Sequence, residues 1–234
     1  MDLQKLYSLT RQAVSKLDMI SAGDRIAVGL SGGKDSVAML YALAGLSRFY
    51  PEHFEVAAIT VDLGLGMDFS PMKNLCNELG VEYHIVDTDI FDIVNKEKKE
   101  TNPCSLCAKL RKGALNKKAI EIGCNTVAYA HHRDDFVNTF FMSLLLEGRI
   151  HSLSPVFMLE KTGLKLIRPL CMVSEADIKG FNNKMKLDTV NNLCPVDGNS
   201  KRTEIDEMIS ELSKRYPDIR QKVFGAIERS GFYE

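Results

Sequence analysis

Residues 29–40 read GLSGGKDSVAML, and the order of types in this stretch is that of a phosphate site. Gly32 and Gly33 permit a sharp turn and let backbone approach a ligand closely. Ser31 and Ser36 add hydroxyls, Lys34 adds a positive charge and Asp35 adds a carboxylate. The apolar run 24–30 before it reads as a strand, and the pattern after it reads as a helix opening near Asp35 and Ser36. Free N–H groups and the positive end of the helix dipole then converge on one point, which suits a phosphate or pyrophosphate. The stretch is not a Walker A loop, because its glycines are adjacent and its lysine precedes an aspartate. A plain tight turn capped by Ser36 would account for the glycines but not for Lys34.

A second cluster of reactive types is NPCSLCAKLRKGALNKKA at 102–119. The C-x-x-C spacing of Cys104 and Cys107 brings two thiolates within reach of one metal centre, with Pro103 stiffening the approach. Zinc, an iron-sulfur cluster and an unmetallated thiol pair are all compatible with a pair alone. Of the other cysteines, Cys76, Cys124 and Cys171 fall in helical or strand-like apolar patterns, where a free cysteine is a small hydrophobe. Cys194 differs, since it sits in the polar, turn-rich NNLCPVDGNSKR. Three thiols without an obvious fourth favour a [4Fe-4S] cluster with one open iron over closed zinc.

The third constellation is AYAHHRDDFVNTF at 128–140. A strand ending at Ala130 opens this loop on the same sheet edge as the glycine loop, and Asp134 or Asp135 is placed to cap the helix that follows. A carboxylate beside nucleotide phosphates can hold Mg²⁺, which makes Asp135 a candidate, with His131 and His132 behind it.

The elements that must position these residues alternate. Strand-like runs at 24–30, 54–62, 81–87 and 124–130 are separated by helix-sized segments, among them 35–49, 70–80 with Ser70 as N-cap, 105–122 and a helix from Asp134 to Gly148. Residues 155–170 read as two short strands around Lys161-Thr162-Gly163, the second joining the sheet. SEAD at 174–177 is a capping box, and 202–232 reads as helix broken at Pro217. Repeated strand-helix-strand units predict a doubly wound, mostly parallel α/β sheet with helices on both faces, whose ligands sit outside the carboxyl ends of the strands. We expect one domain over 1–234, with helical segments at 1–22 and 200–234.

The 234 residues carry a net charge of −1 and are 45% hydrophobic, which excludes disorder and a broadly basic nucleic-acid binder. Any RNA contact must be a local patch, the best being Lys109, Arg111, Lys112, Lys117 and Lys118 with Lys201 and Arg202. No apolar run spans a bilayer and no signal peptide is visible, so a cytoplasmic protein with reduced thiols is expected.

The segments AVSKLDMISAGDRIAVGLSGGKDSVAML, PCSLCAKLRKGAL, AHHRDDFVNTFFM, LIRPL and CPVDGNSKR resemble, in order and context, the tRNA 2-thiocytidine synthetase (TtcA-like) family of PP-loop ATP pyrophosphatases. The resemblance implies a five-stranded parallel sheet, ATP with Mg²⁺, and a [4Fe-4S] cluster held by Cys104, Cys107 and Cys194. It implies an ATP site of Ser31, Gly32, Gly33, Lys34, Asp35 and Ser36 with Val61, Asp62, Ala130 and Asp135, which His131 joins from the reading of its own loop. Lys34, Asp35 and Asp135 would be catalytic. Arg111 would lie near the triphosphate, and its i+4 spacing from Cys107 supports that independently. The implied reaction adenylylates the C2 oxygen of a cytidine, which a sulfur bound at the open iron then replaces.

The implied partners are tRNA, met at its anticodon loop, and a cysteine desulfurase or other sulfur donor. A homodimer is a further expectation. The chain departs from longer members in having Asn191 where they have a second cysteine in the last motif, and in lacking a separate RNA-binding domain or an N-terminal zinc pair. Two other readings stay open: a sulfurtransferase or desulfurase acting on a free base or small metabolite, and an ATP- and cluster-binding sensor without turnover.

Overall fold

The computed structural model describes residues 1–96, 103–190, 193–194 and 201–231. Its centre is a sheet in the order β3-β2-β1-β4-β6-β5, built from β1 (Arg25–Gly29), β2 (Glu55–Asp62), β3 (Glu82–Asp87), β4 (Thr126–Ala128), β5 (Val156–Leu159) and β6 (Leu164–Ile167). Five strands pair in parallel, as expected. The sixth, β5, pairs antiparallel with β6. Both arms of the hairpin around Lys161-Thr162-Gly163 therefore join the sheet, with Gly163 at φ +70° in the turn.

The chain leaves β1 for β2 on one side, and β4 pairs with β1 on the other. This divergence opens a crevice at the carboxyl ends of β1 and β4, the switch point where α/β sheets bind ligands. Both sheet faces are covered, so the central strands are apolar on both sides. Ile26 and Val28 pack into one core with α1 (Leu3–Lys16), α2 (Lys34–Leu46), α3 (Ser70–Leu79) and α7 (Glu175–Met185). Ala27, Ala57, Ile59 and Val127 pack on the opposite face with Leu115 and Ala119 of α5 (Pro103–Glu121).

Local chemistry sets the helix ends. Gly33 is the N-cap of α2, in extended backbone, so the helix opens one residue ahead of Asp35. Gly80 closes α3 in the left-handed region, where glycine meets no Cβ penalty. Ser70 is the first residue of α3 rather than its cap; the Asp68 carboxylate accepts from its N–H at 2.8 Å. The short α4 (Ile90–Lys96) lacks a sequence signal of its own. Pro217 breaks the last helical stretch into α8 (Lys201–Arg215) and α9 (Ile219–Ser230), both packed on α6 (Arg133–Glu147). Among the described residues no helix is long and apolar enough to cross a membrane.

Candidate active site

The loop between β1 and α2 is held open by its own side chains. Ser36 Oγ donates to the Gly33 carbonyl at 2.9 Å and accepts from the Ser31 N–H at 3.2 Å. Gly32 adopts φ +82°, and its carbonyl accepts from the Val190 N–H at 3.0 Å. A Cβ on Gly32 would stand 2.7 Å from Val190 Cβ, so both backbone sign and space require glycine there. The α2 N-terminus then faces the crevice as an anion site.

Lys34 turns away from that point. Its Nζ lies 2.9 Å from Asp35 Oδ2 and 3.2 Å from Glu175 Oε1. Burial works against the ammonium, but these two carboxylates outweigh it and raise the Lys34 pKa. Asp35 Oδ1 is buried with no hydrogen-bond partner. An acceptor in that position fits a cation.

Facing it, the loop after β4 places His131, His132 and Asp135. Asp135 Oδ2 accepts from the His132 N–H at 2.8 Å and closes the first turn of α6, while Oδ1 accepts from Arg202 Nη2 at 2.8 Å. Burial raises the Asp135 pKa against the pull of His132 and Arg202. Asp134 turns the other way, accepting from the Glu175 N–H at 2.8 Å, so it caps α7 instead of reaching the crevice. His132 Nε2 is 3.8 Å from Asp35 Oδ1. His131 Nδ1 accepts from Nε of buried Arg168 at 3.1 Å.

On α5, Cys104 is exposed and Cys107 half-buried; Cys194 is half-buried in its own segment. Burial pushes the Cys107 thiol up, Arg111 pulls it down, and both Cys194 and Cys104 push it up again. Cys107 thus feels a second thiol on α5, one from a segment remote in sequence, and an arginine. Among the described residues no three His, Cys, Asp or Glu side chains stand close enough to share a single metal ion. Cys104, Cys107 and Cys194 are thiol donors of the kind that would hold an iron-sulfur cluster.

Between these groups lies a cleft of about 390 Å³. Its walls are the glycine loop (Ser31, Gly33, Asp35, Ser36), the ends of β1, β2 and β4 (Gly29, Ile59, Val61, Ala130, His131), one face of α5 (Ala108, Arg111, Leu115) and Asp135.

A family model described as a PP-loop domain matches residues 5–210. The chain is 36% identical, over 97% of its own length and 81% of the relative's, to a tRNA-cytidine(32) 2-sulfurtransferase from Dechloromonas aromatica. It is 33% identical, over 96% and 89%, to one from Geobacter sulfurreducens. The chain belongs to the TtcA-like branch of the PP-loop family. Its fold is similar to that of the U34-tRNA thiolase NcsA from Methanococcus maripaludis, a structure with its [4Fe-4S] cluster. The TM-score is 0.77 at 27% identity, covering 95% of this chain and 77% of that one.

In this PP-loop protein, Ser31, Gly33, Asp35, Ser36, Val61, Arg111, Ala130, His131 and Asp135 line the cleft. Three expected residues do not line it. Gly32 faces Val190, and Lys34 is held by Glu175. Asp62 turns its carboxylate to the Gly64 N–H at 3.0 Å. Asn191 and residues 195–200 lie outside the described residues. Of the proposed RNA patch, Lys118 pairs with Glu121, Lys201 with Glu204 and Arg202 with Asp135. Lys112 lines the cleft. Sequence reasoning missed Ala108, Leu115, Tyr129 and Arg168. Helical spacing from Arg111 would have found the first two. Arg168, within LIRPL, reaches His131 only through the pairing of β4 with β6.

Proposed function

We propose that this PP-loop protein is an ATP-dependent, iron-sulfur-dependent tRNA sulfurtransferase that converts a cytidine to 2-thiocytidine. The observation that carries the reading is the meeting of two chemistries at one place: Arg111 lines the cleft formed by the PP-loop and lies one helical turn beyond Cys107 on α5. The names of the relatives, tRNA-cytidine(32) 2-sulfurtransferases, and of the structural neighbour, a tRNA thiolase with a [4Fe-4S] cluster, support the same chemistry.

In this reading the PP-loop N–H groups and the α2 N-terminus bind the pyrophosphate portion of ATP and stabilise its departing charge. Asp35 and Asp135 hold Mg²⁺, and Arg111 and Lys112 bound the triphosphate from α5. Lys34 supplies further charge on leaving Glu175. The cytidine C2 oxygen attacks the α-phosphate and pyrophosphate leaves. Sulfur at the sulfide oxidation level then adds to C2, and AMP departs with the former C2 oxygen. Cys104, Cys107 and Cys194 fit a [4Fe-4S] cluster, which when bound supplies an iron free of protein ligands where sulfur can be carried. The base is an anticodon-loop cytidine, where unstacking is easy. A cysteine desulfurase or another donor delivers the sulfur, and the working unit is a homodimer.

The test is the pattern of ATP cleavage by anaerobically reconstituted protein. With tRNA transcript, sulfide and Mg²⁺, AMP and pyrophosphate should form, and tRNA binding should weaken as salt rises. AMP formed equally with free cytidine would point to a small-molecule substrate. Nucleotide binding without AMP under any condition would contradict the enzyme reading.

A further inference from the structure

His131 and Arg168 form a pair that the proposed chemistry does not yet use. His131 lines the cleft from the end of β4, while Arg168, 3% exposed, follows β6 and is not part of the cleft lining. Arg168 Nε stands 3.1 Å from His131 Nδ1. A guanidinium nitrogen can only donate, so Nδ1 must be the acceptor and carry no proton. The arginine is itself fixed: Nη1 donates to the Ser154 carbonyl, and the guanidinium carbon stands 5.4 Å from the centre of the Phe157 ring.

We infer that Arg168 is a positioning residue that locks His131 in one uncharged tautomer, leaving its Nε2–H as a permanent hydrogen-bond donor for a phosphate oxygen of bound ATP. The inference rests on reading this cleft as the ATP site. A neutral imidazole with Nδ1 engaged as acceptor must hold its proton on Nε2. Protonating Nδ1 would set an N–H against the Arg168 N–H, and the surroundings reinforce this. Burial, then Arg168, Arg202 of α8, Lys112 of α5 and His132 all disfavour the imidazolium and push the His131 pKa down to about 3. With Nδ1 engaged by Arg168, the proton His131 can offer is the one on Nε2. It holds the nucleotide without adding a charge.

The direct test is nitrogen-15 spectroscopy of protein labelled at histidine, with His131 assigned by its loss in H131Q. The expected spectrum has an unprotonated Nδ1, a protonated Nε2 and no titration between pH 5 and 8. Titration in that window, or a protonated Nδ1, would overturn the inference without touching the ATP reading. R168Q should release the lock, giving mixed tautomers and a His131 that titrates; if it folds and His131 is unchanged, Arg168 is not the cause. Binding of a non-hydrolysable ATP analogue supplies the second readout. Glutamine places an N–H close to Nε2, so H131Q should bind within about twofold of wild type. H131A should weaken binding roughly fivefold to tenfold, the effect of one lost neutral hydrogen bond. Equal affinity in H131A and wild type, or equal loss in both variants, would remove the donor role. Failure of the wild type to bind the analogue would count against the ATP reading, with the spectrum still deciding the tautomer.

Discussion

Asp135 serves two structures with separate oxygens. Oδ2 takes the His132 N–H and closes the first turn of α6, while Oδ1 points to Arg202 at the cleft. Asparagine keeps an acceptor for the N–H but not the charge, whereas alanine loses both. D135N should therefore retain the wild-type thermal midpoint and lose at least tenfold in ATP cleavage. D135A should lose that activity and also about 1 kcal/mol of stability, the usual effect of a lost helix cap. Unfolding curves beside product assays separate the two, and a fully active D135N would remove Asp135 from the Mg²⁺ site. His131 gives a prediction in pH. Its folded pKa, about 3, lies below its ordinary 6.5, so below pH 6.5 the unfolded chain binds a proton that the folded chain refuses. Stability should fall with pH by up to about 1.4 kcal/mol per unit from that side chain. Chemical denaturation of H131Q should show a shallower acid limb between pH 6.5 and 4.5, and parallel limbs would contradict the burial of a neutral imidazole. Ser31 to Ser36 were legible because a PP-loop is contiguous and its chemistry is written in consecutive residues. The partners Arg168, Arg202 and Glu175 were not, since each arrives from another element through tertiary packing.

At the scale of elements, the strand-turn-helix unit β1-loop-α2 is shaped by one glycine and one neighbour. Gly32 at φ +82° accepts the Val190 N–H through its carbonyl and leaves no room for a Cβ. G32A should cost about 1–2 kcal/mol from backbone conformation alone, with a further penalty from the overlap at Val190, and should abolish ATP-analogue binding. Denaturant titration and calorimetric binding measure the two effects; a G32A protein that binds normally would mean the loop does not cradle phosphate. Helix α5 shows what periodicity can and cannot reveal. Its i+4 spacing puts Arg111 on the side of Cys107, yet the approach of Leu115 to Gly29, where an added Cβ would stand 2.9 Å from Leu115 Cδ1, depends on sheet order. The antiparallel β5 was half legible, because a hairpin turn is local but the pairing of its outer arm is not.

For the whole molecule, the C-terminal helices act as a wall. Ile205 and Ile209 of α8 bury against Val137 of α6, and Arg220 of α9 stands 2.9 Å from Asp206 and 3.5 Å from Asp134. Lys16 of α1 meets Glu228 of α9 at 2.8 Å, joining the two ends of the chain. We propose that 1–234 folds as one domain. Calorimetry should then show a single transition, and I209A should lower the stability of that transition by about 2–5 kcal/mol instead of melting the C-terminal helices separately. Two resolved transitions would divide the chain. The helical run broken at Pro217 was legible, but not the face these helices cover. The most direct test of the function is to supply reconstituted protein anaerobically with ATP, Mg²⁺, sulfide and a tRNA transcript, digest the RNA and quantify nucleosides by mass spectrometry. The account predicts 2-thiocytidine equal in amount to AMP, absent without ATP and lost in C194S. AMP without any thiolated nucleoside, or thiolation undiminished in C194S, would contradict it.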